Sequence, residues 1–192
     1  MIALLVAASV GLPSSPVVDS RLSREEAIGP GVPDSVSQLL DVREVRYLGF
    51  DGLEHQGQLV CARKRCQDLV DLFGSLRVVR FPVRSVIPLS AFGGSDSASM
   101  AADNSSCFGW RGMWGSAEPS RHSQGLALDL NPRENPAFHK GKVVPPDAKL
   151  DPSIPGTLSD TSLAVRFLRS RGWRWGAHWR RVQDRQHFEV KP

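Results

Sequence analysis

The sequence predicts an α+β fold, in which a small antiparallel β-sheet is flanked by helices. Residues 42–50 are β-prone, the turn dipeptide Asp51-Gly52 follows, and residues 58–62 are apolar again. This pattern indicates a β-hairpin, with a tight turn or a longer loop. Two other segments repeat their apolar side chains at helical spacing, and two short segments in the second half of the chain alternate with a period of two.

The two predicted helices each present one apolar face. The first carries Cys66, Leu69, Val70, Phe73 and Leu76. The second carries Leu163, Ala164, Phe167 and Leu168. Either Thr157 or Ser159 is expected to cap the start of the second helix, and Gly172 is expected to end it. Residues 81–89 lie between the helices and are expected to be extended, as either an edge strand or an irregular strand, because they contain two prolines.

Two long segments show no periodicity and are predicted to be loops. Residues 91–118 are rich in Gly, Ser, Asp and Asn, and residues 133–155 contain five prolines. Loops of this length are uncommon in compact domains and are often functional. The first of them leads directly to His122.

The alternating segments predict strands that present polar side chains on one face. In residues 125–130 the leucines share one face, and Asp129 lies on the other face beside small residues. In residues 187–190 the two apolar side chains would point to the core, while His187 and Glu189 face the other way. Both strands can therefore hold polar groups over an apolar floor.

The composition is that of a soluble globular protein: 192 residues, 41% hydrophobic and 23% charged. The net charge of +4 suits an anionic partner such as a bacterial cell wall. The arginines are scattered without a basic block, which argues against nucleic acid as a partner. Cys61, Cys66 and Cys107 form no CxxC pair, and they are compatible either with one disulfide and a free thiol or with three buried thiols.

Residues 1–12 are apolar and have the length of the hydrophobic part of an export signal, which is too short to span a bilayer. The first basic residue is Arg21, so an ordinary buried element is the alternative. We expect residues 1–33 to be an export signal or its remnant followed by a linker over residues 17–33. Residues 34–192 are expected to form one domain, secreted or associated with the cell envelope and without stable membrane insertion.

Two imidazoles and a carboxylate are candidate metal ligands, at His122, Asp129 and His187. A catalytic zinc site uses three protein ligands and keeps a fourth position for water. A nearby carboxylate that does not bind the metal can then accept the proton of that water. Carboxylates of this kind lie on either side of His187 in the sequence. The pattern therefore predicts a zinc hydrolase.

The patterns S-x-H-x-x-G-x-A-x-D at residues 120–129 and D-x-x-H-F-E at residues 184–189 resemble the M15 zinc peptidases. This family includes D-Ala-D-Ala carboxypeptidases and dipeptidases, and L-alanyl-D-glutamate endopeptidases. The likeness is to the endopeptidase-like branch of the family, its subfamily C, in four further segments, residues 50–60, 80–83, 99–106 and 172–176. Together the segments extend the resemblance over about residues 42–190.

The resemblance implies a hedgehog/DD-peptidase-like form of the α+β fold, with one Zn²⁺ per chain. Carried over residue by residue, it makes the zinc ligands His122, Asp129 and His187. Asp184 takes the place of the general base. Arg111 takes the place of an arginine that stabilises the oxyanion or binds the substrate carbonyl, and Ser120 that of a serine beside the substrate.

Alternatives remain open around this assignment. Glu189 is a rival for the general base, and it could instead orient the imidazole of His187. The family often has Trp-Gly-Gly-x-Trp where this chain has Ala177 and His178, and we interpret His178 as a rim residue that faces solvent. His55 and His139 are interpreted as surface residues.

The expected function is hydrolysis of peptide bonds in the stem peptide of bacterial peptidoglycan. The enzyme would be either an L-Ala-D-Glu endopeptidase or a D-Ala-D-Ala carboxypeptidase. An alternative from another class is a catalytically inactive, zinc-stabilised cell-wall-binding module, because the same fold serves in hedgehog-type signalling proteins. A phage lysin would share the chemistry and differ only in origin. The sequence leaves the oligomeric state open.

Overall fold

A computed structural model of the protein describes residues 15–110 and 120–191. Its α-helices are α1 (Arg24–Ile28), α2 (Asp34–Ser37), α3 (Cys66–Val78), α4 (Asp96–Ala101) and α5 (Leu163–Ser170). Its strands are β1 (Val17–Val18), β2 (Leu40–Leu48), β3 (Glu54–Ala62), β4 (Ser85–Val86), β5 (Asn104–Ser105), β6 (Ala127–Asp129), β7 (Ala137–His139), β8 (Lys142–Val144), β9 (Arg174–Trp175), β10 (Gln183–Asp184) and β11 (His187–Glu189). Helices combined with several small sheets confirm the predicted α+β class.

The hairpin β2–β3 is the longest pairing among the described residues, and it confirms the predicted hairpin. Its antiparallel register runs from Leu40 opposite Ala62 to Leu48 opposite Glu54. The predicted helix over the Cys66 segment is also confirmed, as α3, which packs across β2. The buried face of α3 is formed by Cys66, Leu69, Leu72, Phe73 and Leu76. Burial of one such large side chain contributes about 1.5–3 kcal/mol.

The cysteines form one disulfide and leave one thiol. Cys61 near the end of β3 is bonded to Cys66 at the start of α3, with 5.4 Å between their Cα atoms. Cys107 is a free, buried thiol. Of the two arrangements compatible with the sequence, the structure has the disulfide with a free thiol.

The interpretation of residues 17–33 as a linker is wrong, because this segment is folded onto the body of the protein. β1 pairs in parallel with β3, and α1 begins with a capping box between Ser23 and Glu26. Ala27 and Ile28 are buried in a small core with residues of β2 and β3. Burial of these side chains holds the segment in place. The predicted export signal at residues 1–12 lies outside the described residues, and the domain division stays a prediction.

Three further predictions of local structure are corrected. The loop expected over residues 91–118 contains α4 and β5 in its described part, and the loop expected over residues 133–155 contains the hairpin β7–β8. Proline and glycine content indicated loops there, but it does not exclude short elements between them. The residue at the N-cap position of α5 is Ser162 rather than Thr157 or Ser159, and its side chain makes no capping hydrogen bond to the helix.

A second small sheet, in the order β6–β11–β9, lies against the main core. Leu128 on β6 and Phe188 on β11 are directly opposite and fully buried, and Trp175 on β9 stacks on Phe188 with 6.2 Å between ring centroids. This apolar face fixes the sheet, so its other face is free to carry polar side chains. Within the described part of the chain, no helix combines the length and the hydropathy required to span a bilayer.

Candidate metal centre

The sheet β6–β11–β9 sets the positions of two of the predicted ligands. In the antiparallel register of β6 and β11, His187 is directly opposite Asp129. Side chains of directly opposite residues lie on the same face of a sheet. Because Leu128 and Phe188 point into the core, Asp129 and His187 must point to the opposite face. The alternation seen in the sequence thus explains why both side chains point to this face, and the pairing of β6 with β11 brings them together.

The third predicted ligand comes from the turn before β6. His122 begins a 3-10 helical turn that Gly125 ends in the left-handed region, at φ +64°. A β-carbon on Gly125 would lie only 2.4 Å from the backbone nitrogen of Ala62. Only glycine fits both this backbone conformation and this close approach. The glycine of the motif therefore allows the turn to pack on β3 and aims His122 toward the sheet.

The three predicted ligands converge in one buried cluster. Nε2 of His122 lies 3.1 Å from Nδ1 of His187 and 3.3 Å from Oδ2 of Asp129. Nδ1 of His187 lies 3.0 Å from Oδ1 of Asp129. All three residues are at most 8% exposed. Their ligand atoms all lie within 4.8 Å of one another, which is the spacing of atoms around one ion.

The donor set fits a zinc ion. Nδ1 of His122 lies 2.6 Å from the carbonyl oxygen of Cys107 and donates to it, which leaves Nε2 with its lone pair directed at the cluster. Two imidazoles and one carboxylate are among the ligand sets that zinc accepts in catalytic sites. A cation placed among these atoms would satisfy all three lone pairs at once. The residues His122, Asp129 and His187 would therefore hold the metal.

The electrostatics of the cluster favour a positive charge at this place. Burial disfavours the ionised form of Asp129, but His122 and His187 nevertheless hold the pKa of Asp129 well below its usual range. Burial likewise opposes protonation of His187, yet hydrogen bonds to Asp129 and Glu189 raise the pKa of His187 to about 10. Asp129 therefore remains an anion that can bind a cation.

Asp184 is half-buried, and its carboxyl group interacts electrostatically with the cluster but is not among the three converging ligands. Its strand β10 pairs with β7, which places Asp184 opposite Ala137. Burial raises the pKa of Asp184 to about 6, against the lowering effect of His187. Within the described chain, its buried Oδ1 has no hydrogen-bond partner.

Glu189, the rival candidate for the base, is directed differently. Its Oε2 lies 3.4 Å from Nε2 of His187, on the edge of the ring opposite the cluster, and its Oε1 accepts a hydrogen bond from Arg174. Hydrogen bonding to His187 lowers the pKa of Glu189 to about 2. Both oxygens are thus occupied away from the convergence point. Glu189 is therefore not directed to accept a proton at the convergence point, and the assignment of the general base to Asp184 stays a prediction.

Of the two remaining predicted site residues, Ser120 and Arg111, the structure describes only Ser120. Oγ of Ser120 accepts a hydrogen bond from the backbone N–H of His122 at 3.2 Å, and its carbonyl oxygen accepts one from Oγ of Ser123 at 2.6 Å. Ser120 thus shapes the turn that carries His122, and its contact with substrate stays a prediction. Arg111 lies outside the described residues.

The remaining histidines are placed by tertiary contacts. His178 is exposed and interacts with Asp160 at 3.1 Å, in keeping with a rim position. His55 is not the surface residue that the sequence suggested. It lies between Asp19 and Asp51, at 2.9 Å and 3.1 Å, and is largely buried. Asp19 belongs to the N-terminal segment, so no local pattern could have revealed this contact.

Comparison with known proteins adds one match. Residues 114–190 match the family model described as D-alanyl-D-alanine carboxypeptidase, which covers about two fifths of the chain. No curated protein and no solved structure matches the chain. The matched residues include the three converging ligands and Asp184. The part of the chain that carries the candidate metal centre is thus similar to the M15 family of peptidases.

Proposed function

We propose that the protein is a zinc-dependent peptidase that hydrolyses the stem peptide of bacterial peptidoglycan. The observation that carries this proposal is the convergence of His122, Asp129 and His187. Asp184 lies in the same electrostatic environment, and its Oδ1 has no hydrogen-bond partner among the described residues. The family match supports a peptidase. An anionic cell-wall polymer suits the net charge of +4.

A zinc ion, when bound, supplies Lewis-acid polarisation of the scissile carbonyl and of a water molecule. The residues of the chain would provide the proton transfers. Asp184 would accept a proton from the attacking water and deliver one to the leaving amine. A half-buried carboxyl with a pKa raised to about 6 suits both steps, since its two protonation states are close in energy near neutral pH. In this proposal, Arg111 stabilises the oxyanion or binds the substrate carbonyl, and Ser120 lies beside the substrate.

The disulfide supports the expected location in the cell envelope or outside the cell. Cys61 and Cys66 are both buried and bonded to each other. Structural disulfides persist in oxidising compartments and are rare in the bacterial cytosol. We therefore include secretion or envelope association in the proposal.

The experiment that tests the function uses purified protein, zinc and peptidoglycan fragments of known stem peptide. We expect Asp184→Asn to reduce turnover at least about 100-fold, because the proton acceptor is removed, while zinc still binds. His187→Ala should lose both turnover and tight zinc binding. Asp71→Asn on α3, a carboxylate that pairs with Arg171, is the matched control and should behave as wild type.

Mass spectrometry of the products identifies the bond. The family description favours release of terminal D-alanine, whereas the resemblance to the endopeptidase-like branch favours cleavage between L-alanine and D-glutamate. A wild-type protein that binds zinc but cleaves neither bond would support the alternative, a zinc-stabilised binding module. A wild-type protein that binds no zinc would overturn the proposal.

A further inference from the structure

We propose that Glu189, held in place by Arg174, positions the imidazole of His187 as a metal ligand. This inference rests on the proposed zinc site. It assigns to the pair a role that is distinct from ligation and from proton transfer: the pair orients His187 from the side of the ring that faces away from the cluster.

The strand geometry places Arg174, Glu189 and His187 next to one another on one face of the sheet. His187 and Glu189 are two residues apart on β11, so their side chains lie on the same face. Arg174 on β9 is directly opposite Glu189 in the antiparallel register. The face opposite Phe188 therefore carries, in order, a cation, a carboxylate and an imidazole.

The contacts connect this row to the cluster. Nη2 of Arg174 donates to Oε1 of Glu189, and Oε2 of Glu189 lies 3.4 Å from Nε2 of His187. Nδ1 of the same ring lies 3.0 Å from Oδ1 of Asp129 and 3.1 Å from Nε2 of His122. If Nε2 carries the proton and donates it to Glu189, Nδ1 keeps its lone pair for the ion. A carboxylate at this position fixes both the tautomer and the orientation of a ligand histidine.

Burial shows that Glu189 is suited to this task. The side chain of Glu189 is 15% exposed and that of His187 is 11% exposed, whereas that of Arg174 is 58% exposed. A carboxylate in this position is shielded from water and needs partners. Arg174 supplies a second partner from the solvent side and keeps the carboxylate from turning away from His187. Arg174 acts through Glu189 and has no direct contact with the cluster.

Glu54 offers a matched control. Its carboxylate also accepts hydrogen bonds from arginines, Arg46 at 3.3 Å and Arg77 at 2.8 Å, and its side chain is 20% exposed. It lies on β3, in a different sheet from His187. Glu54→Gln therefore removes a comparable charge and disturbs a comparable ion pair without touching the metal centre.

The test measures zinc affinity by competition with a chromophoric chelator, together with the absorption spectrum of the Co²⁺-substituted protein. Glu189→Gln should bind zinc about 10- to 100-fold more weakly and should alter the Co²⁺ spectrum. Arg174→Ala should give a smaller but measurable loss, roughly three- to tenfold. In the Glu189→Gln background, Arg174→Ala should have almost no further effect, because the two residues act as a unit. Glu54→Gln should match wild type in both measurements.

The outcomes separate this inference from the proposed function. Wild-type zinc affinity and an unchanged Co²⁺ spectrum in Glu189→Gln would overturn the positioning role and leave the zinc site intact. Absence of zinc binding in the wild type would instead overturn the proposed function. Thermal unfolding of each variant in excess chelator tests whether the fold is retained. Should Glu189→Gln fail to fold, Arg174→Ala decides the question, since its side chain is mostly exposed, and full zinc affinity in that variant would contradict the inference.

Discussion

Asp129 and Asp184 have the same functional group, and their surroundings give them opposite properties. Asp129 faces two imidazoles at hydrogen-bonding distance, and its pKa is held below the usual range. Asp184 is half-buried, with one buried oxygen that lacks a partner among the described residues, and desolvation raises its pKa to about 6. One carboxyl is thus an anion suited to bind a metal, and the other is suited to exchange a proton.

Gly176 is predicted to control the position of Asp184. A β-carbon on Gly176 would lie 2.6 Å from the carbonyl oxygen of Asp184. We expect Gly176→Ala to displace β10 and to lower kcat by about 10-fold or more, because small displacements of a catalytic group are costly, while zinc stays bound. Steady-state kinetics and metal analysis check this result.

Gly74→Ala is the control for that substitution. A β-carbon on this glycine of α3 would meet no atom within 4 Å. Alanine in a helix interior should stabilise the protein by roughly 0.5–1 kcal/mol and leave kcat unchanged. Equal kinetics for Gly176→Ala and wild type would show that the close approach to Asp184 does not matter for catalysis.

Glu134 is predicted to make stability depend on pH. Burial, together with the adjacent carboxyl of Asp103, raises the pKa of Glu134 to about 7 from its ordinary value near 4.5. The folded protein then holds a proton that the unfolded chain releases above pH 4.5. The contribution of Glu134 to the free energy of unfolding is therefore at its most favourable below about pH 4.5. It is lost as the pH rises to about 7. Since Glu134 is only partly buried, we expect the loss to be about 1 kcal/mol.

Urea unfolding between pH 5 and pH 8 measures this effect. Glu134→Gln, which cannot ionise, should flatten the dependence over this interval. Glu44→Gln, at an exposed position on β2, should leave the profile of the wild type unchanged. A profile for Glu134→Gln with the same slope as the wild type would rule out Glu134 as the source.

At the scale of elements, the disulfide links the main hairpin to the main helix. Cys61 belongs to β3 and Cys66 begins α3, with a sequence separation of five. A bond across so short a loop lowers the conformational entropy of the unfolded chain, and this raises the free energy of the unfolded state by about 2 kcal/mol. We expect reduction with dithiothreitol to lower the free energy of unfolding by this amount, as measured by urea denaturation.

Two variants make that measurement specific. Protein with both Cys61→Ala and Cys66→Ala should no longer respond to the reductant. Cys107→Ala, which removes the buried free thiol, should respond as the wild type does. If thiol titration shows an open bond and the free energy of unfolding has not changed, the contribution assigned to the disulfide is wrong.

At the scale of the whole molecule, metal binding is expected to stabilise the fold. The three ligands come from the turn before β6, from β6 itself and from β11, so an ion held by all three joins separate parts of the chain. A ligand at 100 times its Kd stabilises the folded state by about 2.7 kcal/mol. For a domain of this size, the corresponding rise in Tm is roughly 5–10 °C.

Calorimetry with and without added zinc measures this shift. His187→Ala should show no rise in Tm on addition of zinc, because one ligand is missing. Asp184→Asn should show the full rise, because Asp184, the proposed proton acceptor, is not among the three converging ligands. An equal rise in His187→Ala would place the stabilising ion elsewhere.

Much of the site could be predicted because its signals are local. The alternation around Asp129 and His187 shows which side chains share a strand face, and the period of the Cys66 segment predicts α3. These patterns depend only on neighbouring residues, whose geometry follows from the backbone itself. The predicted ligands and Asp184 follow from two motifs of ten and six residues.

Only the tertiary structure determined which side chains from distant segments meet on those faces. His187 meets Asp129 across 58 residues because Phe188 and Leu128 pack together in the core. The same holds for His55, which contacts Asp19 in a segment interpreted from its composition as a linker. The sequence by itself determined which chemical groups are present and which of them point the same way. Burial of apolar side chains distant in sequence determined which groups meet, because packing depends on the whole core and not on any one segment.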